Sequence, residues 1–165
     1  MDVQPQTRRQ WRRLAEFISE IEIAMLVTAE PDGPLRSRPL RTLQMDADGA
    51  LWFMTTISSA KIGEMDAHRR VSLSYMRPAS ERYVWASGIT QILRDDDKAG
   101  ELWRPGLRPW LPHGRDDPEA VLLKVSIEEA EYWDPGGGRM IPLITAAREP
   151  HSVRIKSSGA PRQSR

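Results

Sequence analysis

Apolar positions near the amino terminus recur at helical intervals. Thr7 and Gln10 have the spacing of a capping box, and Trp11, Leu14 and Ile18 follow them on one side of the predicted helix. The other side carries Arg8, Arg9, Arg12 and Arg13. A solvated polar face explains these arginines more simply than contact with nucleic acid or a membrane. We therefore interpret this segment as an amphipathic helix that covers the rest of the fold.

Further along the chain, the pattern changes to that of β-strands. Six segments are apolar or alternate between apolar and polar residues: 23–29, 35–44, 51–54, 71–76, 83–93 and 121–133. Turn sequences rich in Pro, Gly, Asp and Ser follow several of them, at 31–33, 46–49 and 77–80. The first three strands are predicted to be antiparallel neighbours. A meander of this kind tends to close into a barrel.

Two further helices are predicted between the strands. One is a short helix over 59–68, and the other begins at Asp95–Asp97 and runs through Trp103. The three aspartates fit capping and compensation of the helix dipole better than metal ligation. Residues 102–114 form a proline-rich loop whose tryptophans are too apolar to lie freely in water, so this loop is expected to pack on the fold.

The carboxyl-terminal part is expected to consist of a glycine loop followed by a disordered tail. Gly136–Gly138 could approach a phosphate, but it lacks the strand-turn-helix setting of a dinucleotide site, and a flexible loop ending the folded part is the simpler interpretation. The Arg/Ser/Pro/Gly-rich segment after Ile144 resembles disordered sequence. We therefore expect one domain over 1–147 and a disordered basic tail over 148–165.

Composition excludes several classes of protein. A chain of 165 residues with 39% hydrophobic residues has the size of one domain with one core. It contains no long apolar run and no charged-then-apolar leader, so we expect a cytoplasmic protein that does not enter membranes. The absence of cysteine excludes disulfides and thiol nucleophiles, and three scattered histidines argue against a metal site.

The net charge of +1 conceals an uneven distribution. Residues 148–165 carry a net charge of +4, and the remaining 147 residues carry −3. A protein that binds nucleic acid concentrates positive charge on its folded part. This chain does not, so we expect no nucleic-acid partner; a nucleic-acid binder that uses the basic tail would need salt-sensitive binding that depends on residues 148–165.

The stretch 51–61 combines a buried strand with groups that bind anions. The strand is apolar, and it is followed by Thr55, Thr56, Ser58, Ser59 and Lys61 just where a helix could begin. Hydroxyls, backbone N–H groups and an ammonium at a helix start are suited to a phosphate. The alternative is a core strand that ends in an N-capped helix with a solvated lysine.

Taken together, several short motifs resemble the pyridoxamine 5'-phosphate oxidase-like flavoproteins, and more narrowly their general stress protein branch. The matching segments are 24–28 (Ala-Met-Leu-Val-Thr), 38–40 (Arg-Pro-Leu), 51–55 (Leu-Trp-Phe-Met-Thr), 59–61 (Ser-Ala-Lys), 71–75 (Val-Ser-Leu-Ser-Tyr), 101–103 (Glu-Leu-Trp), 110–118 (Trp-Leu-Pro-His-Gly-Arg-Asp-Asp-Pro) and 130–134 (Ala-Glu-Tyr-Trp-Asp). They occur in the family's order and cover most of residues 10–147.

The resemblance implies a mainly β fold with flanking helices: a six-stranded antiparallel split β-barrel that forms a homodimer. Two clefts at the subunit interface would bind FMN, with FAD as another possible flavin. The positions that it implies for cofactor binding are Arg38, Pro39, Leu40, Phe53, Met54, Thr55, Ser58, Ser59, Lys61, Tyr83 and Trp110.

Within that set, the resemblance gives different positions different roles. Arg38, Lys61 and the hydroxyls would hold the phosphate, since guanidinium and ammonium groups make charge-assisted hydrogen bonds. Leu40, Phe53, Met54 and Trp110 are expected to form an apolar slot for the ring. Tyr83 would reach the flavin from the partner chain, where the oxidases have a glutamine. The oxidases also have an arginine where this chain has Ala60.

The resemblance implies an FMN-dependent oxidoreductase of the stress response, with NAD(P)H as a possible electron donor and an unknown substrate. No catalytic residue is assigned, because the flavin carries the chemistry. The tail lacks the Arg/His signature with which the oxidases hold pyridoxamine phosphate, so that substrate is not expected. The alternative is a flavin-binding stress or sensor protein without turnover.

Overall fold

The computed structural model describes residues 7–29, 33–57 and 69–146. Within these ranges the chain forms two α-helices, α1 (Arg8–Ile21) and α2 (Asp96–Leu102). It also forms eight strands: β1 (Ile23–Ala29), β2 (Leu35–Arg41), β3 (Gln44–Met45), β4 (Ala50–Thr56), β5 (Arg70–Arg77), β6 (Arg82–Leu93), β7 (Ala120–Asp134) and β8 (Arg139–Ile144). Short 3₁₀ turns lie at Pro78–Ser80 and Pro105–Leu107.

Both described helices begin as the sequence predicts. Thr7 and Gln10 form the reciprocal capping box at the start of α1, and Asp95 caps α2 by accepting a hydrogen bond from the Lys98 N–H group. Helix α1 buries Leu14 and Ile18 in the core. It therefore covers the barrel, as its apolar side indicates.

The strand order explains how the sheet becomes a barrel. The order is β2-β1-β5-β6-β7-β4-β3, all neighbours are antiparallel, and β8 pairs with β7 outside this path. Strands β2 and β3 lie at opposite ends of the order, although only Thr42 and Leu43 separate them in the chain. The sheet must therefore curve until its two ends meet. No ladder joins β2 to β4 within the described residues, so the barrel is split there.

The antiparallel split barrel is confirmed, but its count of strands and part of its pairing differ from the prediction. The predicted strand 35–44 is interrupted at Thr42 and Leu43, where the chain passes from one sheet edge to the other. Strand β4 pairs with β7 rather than with β2, so the first three predicted strands are not a simple meander. Local periodicity gives no information about pairing between distant strands.

The prediction that Gly136–Gly138 ends the folded part as a flexible loop was wrong. These glycines belong to the turn between β7 and β8, in which Gly138 has a φ of 61° and its N–H group donates to the Asp134 carbonyl. A positive φ favours glycine. Strand β8 was missed in the sequence because it contains Pro142. A proline argues against a strand, since it is tolerated only at sheet edges.

Two apolar clusters fill the fold. The barrel core lies inside the curved sheet and includes Leu26, Leu73 and Tyr75, which are fully buried. The loop cluster lies outside β4, between that strand and the α2 region, and includes Trp52, Leu107 and Leu111. Trp110 is partly buried and packs against both clusters. The tryptophan loop therefore packs on the fold, as predicted.

Several predictions fall on residues that are not described. They are most of the turn at 31–33, the short helix over 59–68 and the tail over 148–165. The domain boundary near 147 also stays a prediction. Among the described residues, no helix is long and apolar enough to cross a membrane.

Candidate functional site

Arg38 lies on β2, at the side of the split in the barrel. It shares a face of the strand with Leu40, whose side chain is buried in the barrel core. Arg38 is half-buried, and one of its terminal guanidinium nitrogens is shielded from solvent. A partly buried guanidinium is a stronger ligand for an anion than an exposed one, because water competes less with its hydrogen bonds.

The end of β4 lies across the split from Arg38. Strand β3 pairs with β4 so that Gln44 lies opposite Trp52, and the Leu43 N–H group donates to the Trp52 carbonyl at 2.9 Å. Because β3 is antiparallel to β4 and only Thr42 and Leu43 separate β3 from β2, β2 lies on the side that faces the carboxyl-terminal end of β4. Strand β2 remains in contact with β4. The topology thus brings Arg38 and the hydroxyl-rich end of β4 to one corner of the barrel, which we call the split corner.

The predicted positions on β4 are buried within this chain. Phe53 and Thr55 point into the barrel, whereas Met54 points outward into the loop cluster, and all three side chains are at most 2% exposed. Beyond them, the Ile57 N–H group donates to the Glu119 carbonyl at 2.7 Å. The predicted phosphate ligands Ser58, Ser59 and Lys61 lie outside the described residues.

Among the described residues, the predicted apolar slot is not brought together. Leu40 and Phe53 pack in the barrel core, and Met54 packs on the opposite side of β4. Successive residues of a strand point to opposite faces, so Phe53 and Met54 cannot line one slot with their side chains. Strand β4 can present its backbone to a ligand, but not these side chains together.

Trp110 reaches the split corner through its indole N–H group. That group donates to the Pro39 carbonyl at 2.8 Å, and the Arg41 guanidinium carbon lies 5.9 Å from the centroid of the Trp110 ring. Pro39 has no N–H group, and in an antiparallel strand the N–H and C=O groups of one residue point the same way. The Pro39 carbonyl therefore points away from β1, towards the open side of β2.

Sequence reasoning missed this contact between Trp110 and Pro39. The available signal was a proline inside a strand, which marks an open edge that something else has to cover. The partner of that edge could not be found from the sequence, because 71 residues separate the two positions.

Tyr83 is not near the split corner within one chain. It lies at the start of β6 opposite Met76, and β1 and β5 separate β6 from β2 in the sheet. Tyr83 is half-buried on the outer face of the barrel, because the alternate residues Val84 and Ala86 point into the core.

A buried hydrogen bond holds the two-residue connection between β2 and β3. The hydroxyl groups of Thr42 and Tyr75 lie 2.7 Å apart inside the barrel. Burial raises the pKa of the Tyr75 phenol well above its usual value, against the smaller opposing effect of the bond with Thr42. Tyr75 is therefore a neutral structural residue. Among the described residues, no group of carboxylates, histidines or cysteines could hold a metal ion.

Comparison with known proteins places this geometry in a family. A family model described as pyridoxamine 5'-phosphate oxidase like matches residues 9–150, which is most of the chain. The chain belongs to the pyridoxamine 5'-phosphate oxidase-like family. The resemblance inferred from the sequence motifs is thereby confirmed.

A curated relative of this oxidase-like chain is the protein bli-3 of Neurospora crassa. The two are 22% identical over 129 aligned positions, and the match covers 72% of this chain and 62% of that protein. The match thus spans less than two thirds of the relative's length.

Solved structures of oxidase-like proteins share the fold. A Clostridium acetobutylicum protein related to general stress protein 26 matches with a TM-score of 0.69 and 20% identity, covering 82% of this chain and 94% of that one. The general stress FMN/FAD binding protein of Xanthomonas citri matches with a TM-score of 0.64 and 22% identity, covering 77% and 89%. At these identities the likeness concerns the fold.

Proposed function

We propose that this oxidase-like protein binds FMN at the split corner and acts as a flavin-dependent oxidoreductase. The observation that supports the proposal is the contact of β2, which carries Arg38, with β4 across the split in the barrel. The family and the Xanthomonas citri relative described as FMN/FAD binding support the choice of a flavin.

The residues of the split corner fit a phosphate group. Arg38 supplies a partly shielded guanidinium, and Thr56 ends β4, the strand that β2 contacts. In the proposal, Ser58, Ser59 and Lys61 add hydroxyls and an ammonium just beyond that strand. Charge-assisted hydrogen bonds from a guanidinium and an ammonium are the strong contacts that a phosphate needs. Arg38 offsets the charge that is missing at Ala60.

The fit to the flavin ring is different from the one expected. Leu40, Phe53 and Met54 are used for packing, so in this proposal the β4 backbone and the region near Trp110 contact the ring instead. Bound FMN would supply hydride and electron transfer, and the chain would bind and orient it. NAD(P)H is the proposed donor, and the acceptor is a small molecule. FAD is the alternative flavin.

The proposed molecule is a homodimer, in which Tyr83 of one chain approaches the flavin held by the other. Strand β1 supports this proposal because it is apolar on both faces. Ala24 and Leu26 point into the core, whereas Met25, Val27 and Ala29 are only half-buried on the outer face. Strands with two apolar faces are normally covered on both. A second copy of the chain would cover the outer face of β1, β5 and β6.

Light scattering tests the dimer. We expect the mass of two chains for the parent protein and of one chain for Val27→Glu, because a carboxylate would be buried at the interface. Met140→Glu is the matched control, because Met140 is 37% exposed on β8, which pairs with β7 and not with β1, β5 or β6. A monomeric parent protein would contradict the shared cleft.

Flavin titration tests the split corner. We expect the absorption spectrum of added FMN to change on binding, and Arg38→Ala and Lys61→Ala to weaken binding by about 1.5–3 kcal/mol each, the value of a hydrogen bond to a charged group. Arg139→Ala removes an exposed arginine on β8 and should leave the affinity unchanged. Unchanged affinity in both test variants would reject the assignment of the phosphate.

Turnover separates the enzyme from a non-catalytic flavin-binding protein. Reduction of the bound flavin by NADH or NADPH, followed by reoxidation with a panel of acceptors, is expected for an oxidoreductase. A protein that binds FMN but never cycles with any donor would be a flavin-binding stress or sensor protein.

A further inference from the structure

A cleft of about 380 Å³ lies between α1 and the start of β6, outside the split corner. Four arginines line it: Arg9, Arg12 and Arg13 from α1 and Arg82 from β6. Two carboxylates, Glu16 and Glu20, share the cleft with them. The lining therefore carries a net charge of +2, which favours an anion with two negative charges.

Aromatic rings orient two of the four guanidinium groups. The guanidinium carbon of Arg82 lies 4.4 Å from the centroid of the Phe17 ring, and that of Arg13 lies 5.5 Å from the same ring and 5.0 Å from Tyr132. The Phe17 and Tyr132 rings pack on each other with their centroids 5.2 Å apart. Stacking engages the face of a guanidinium and leaves its N–H edge available for hydrogen bonds. Phe17 is buried in the core, so this support is rigid.

The acidic residues of the cleft do not satisfy these arginines. Glu20 lies 3.8 Å from the Arg82 Nε atom, which is too long for a hydrogen bond. That Nε atom is buried and has no hydrogen-bond acceptor within the described residues. Arg9, Arg12 and Arg13 form no ion pair with any residue in the described ranges either.

A buried donor without an acceptor distinguishes this cleft from a solvated helix face. Leaving such a donor unsatisfied costs about 1–3 kcal/mol, and more for a charged group. Arginines that serve only for solubility extend into water, as Arg12 could, and need no ring to support them. Arg82 instead lies under α1, with its face on Phe17 and its Nε atom out of contact with water.

We propose that this cleft is a binding site for a small dianion that carries a phosphate group. The terminal N–H groups of Arg82 and Arg13 would donate to the phosphate oxygens, and Arg9 and Arg12 would close over the anion from α1. A phosphate accepts several charge-assisted hydrogen bonds at once, which matches an arrangement of guanidinium groups on two elements. This site is separate from the flavin phosphate at the split corner.

Isothermal titration calorimetry with inorganic phosphate and with pyrophosphate tests the proposal on the full chain. We expect saturable binding, and we expect the dissociation constant to rise about tenfold or more in Arg82→Gln and in Arg13→Gln. Arg8→Gln removes the same charge from the same helix but does not line the cleft. This control should bind as the parent does.

The proposal is overturned if neither anion gives saturable binding, or if Arg8→Gln weakens binding as much as Arg13→Gln does. The second result would mean that the diffuse charge of α1 attracts the anion. Arg82→Gln is replaced in this test if circular dichroism shows that it does not fold. Arg13→Gln and Arg9→Gln then test the proposal, because both residues are exposed and their substitution should not disturb folding. Phosphate binding that Arg38→Ala weakens, while Arg13→Gln and Arg82→Gln leave it unchanged, would assign the phosphate to the split corner and overturn the proposal.

Discussion

The barrel core and the loop cluster are both buried, but they are built differently. In the barrel core, Leu26, Leu73 and Ala86 stand on neighbouring strands and face the same interior, because each strand alternates between inward and outward residues. In the loop cluster, Leu107 and Leu111 come from an irregular loop with three prolines between 105 and 112. Regular ladders hold the first region, and side-chain packing together with a few specific hydrogen bonds holds the second.

The difference bears on function, because the split corner lies where the two regions meet. Trp110 packs against both clusters and donates to the Pro39 carbonyl. Proteins tend to place binding residues on loops that a rigid scaffold supports. In the proposed site the scaffold would be the barrel, which carries Arg38, and the loop cluster would contribute through Trp110.

Matched truncations in the two regions should give the largest difference. We expect Leu73→Ala to lower the free energy of unfolding by about 4–5 kcal/mol and Leu111→Ala by about 2–3 kcal/mol. Both side chains are fully buried, but Leu73 lies between two ladders that cannot collapse into a cavity, whereas the loop around Leu111 can relax. Urea denaturation of both variants measures the difference.

Leu35→Ala is the control for that comparison. Leu35 is 72% exposed, so the same chemical change should alter stability by less than about 0.5 kcal/mol. Equal losses for Leu73→Ala and Leu111→Ala would show that the loop cluster is as rigid as the barrel core, against this interpretation.

Extremes of pH should weaken the two regions separately. Burial raises the pKa of Tyr75 in the barrel core, so stability that is present below the usual tyrosine pKa of about 10 is lost as the pH rises above it. For Asp46, burial alone would raise the carboxyl pKa, but hydrogen bonds from Trp52 and Gln44 and the charges of Lys98 and Lys124 lower it. Stability from Asp46 is therefore present above the usual value of about 3.9 and lost as the pH falls below it.

Thermal melts of two variants check these assignments. Tyr75→Phe should reduce the alkaline loss of stability, and Asp46→Asn should reduce the acid loss. The Asp46 effect should be the smaller, because its carboxyl group is partly solvated, although its hydrogen bond with the Trp52 indole is 2.8 Å long. Acid melts of Asp46→Asn identical to those of the parent would exclude Asp46 as the acid-sensitive contact of the loop cluster.

The sequence predicted the parts of the fold that depend on local periodicity. The capped helix α1, the alternating strands β5 and β6 and the capped helix α2 follow from spacing over a few residues. The pairing of β4 with β7 and the interruption at Thr42 do not, because ladders between distant strands leave no local period. The resemblance to the family predicted the split barrel as the overall architecture, whereas periodicity predicted only the individual strands.

The candidate site was predictable only in part. Arg38 was predicted because a motif contains it, and its role stays a prediction, although its strand β2 does contact β4. The burial of Leu40 and Phe53 could not be anticipated, since a ring slot and a core both require apolar residues. The arginine cleft was missed because Arg82 lies 69 positions after Arg13 in the chain. No local pattern in the sequence predicts that the start of β6 packs against α1.

The ends of the sheet limit how this protein can associate. A free strand edge is a template on which other chains can add strands and aggregate. Here β2 presents Pro39 with its carbonyl already taken by Trp110, β3 is only two residues long, and β8 contains Pro142. Each of these features makes its edge a poorer template for an added strand. These features disfavour the addition of a strand from another copy of the chain, so the proposed dimer would have to form through strand faces.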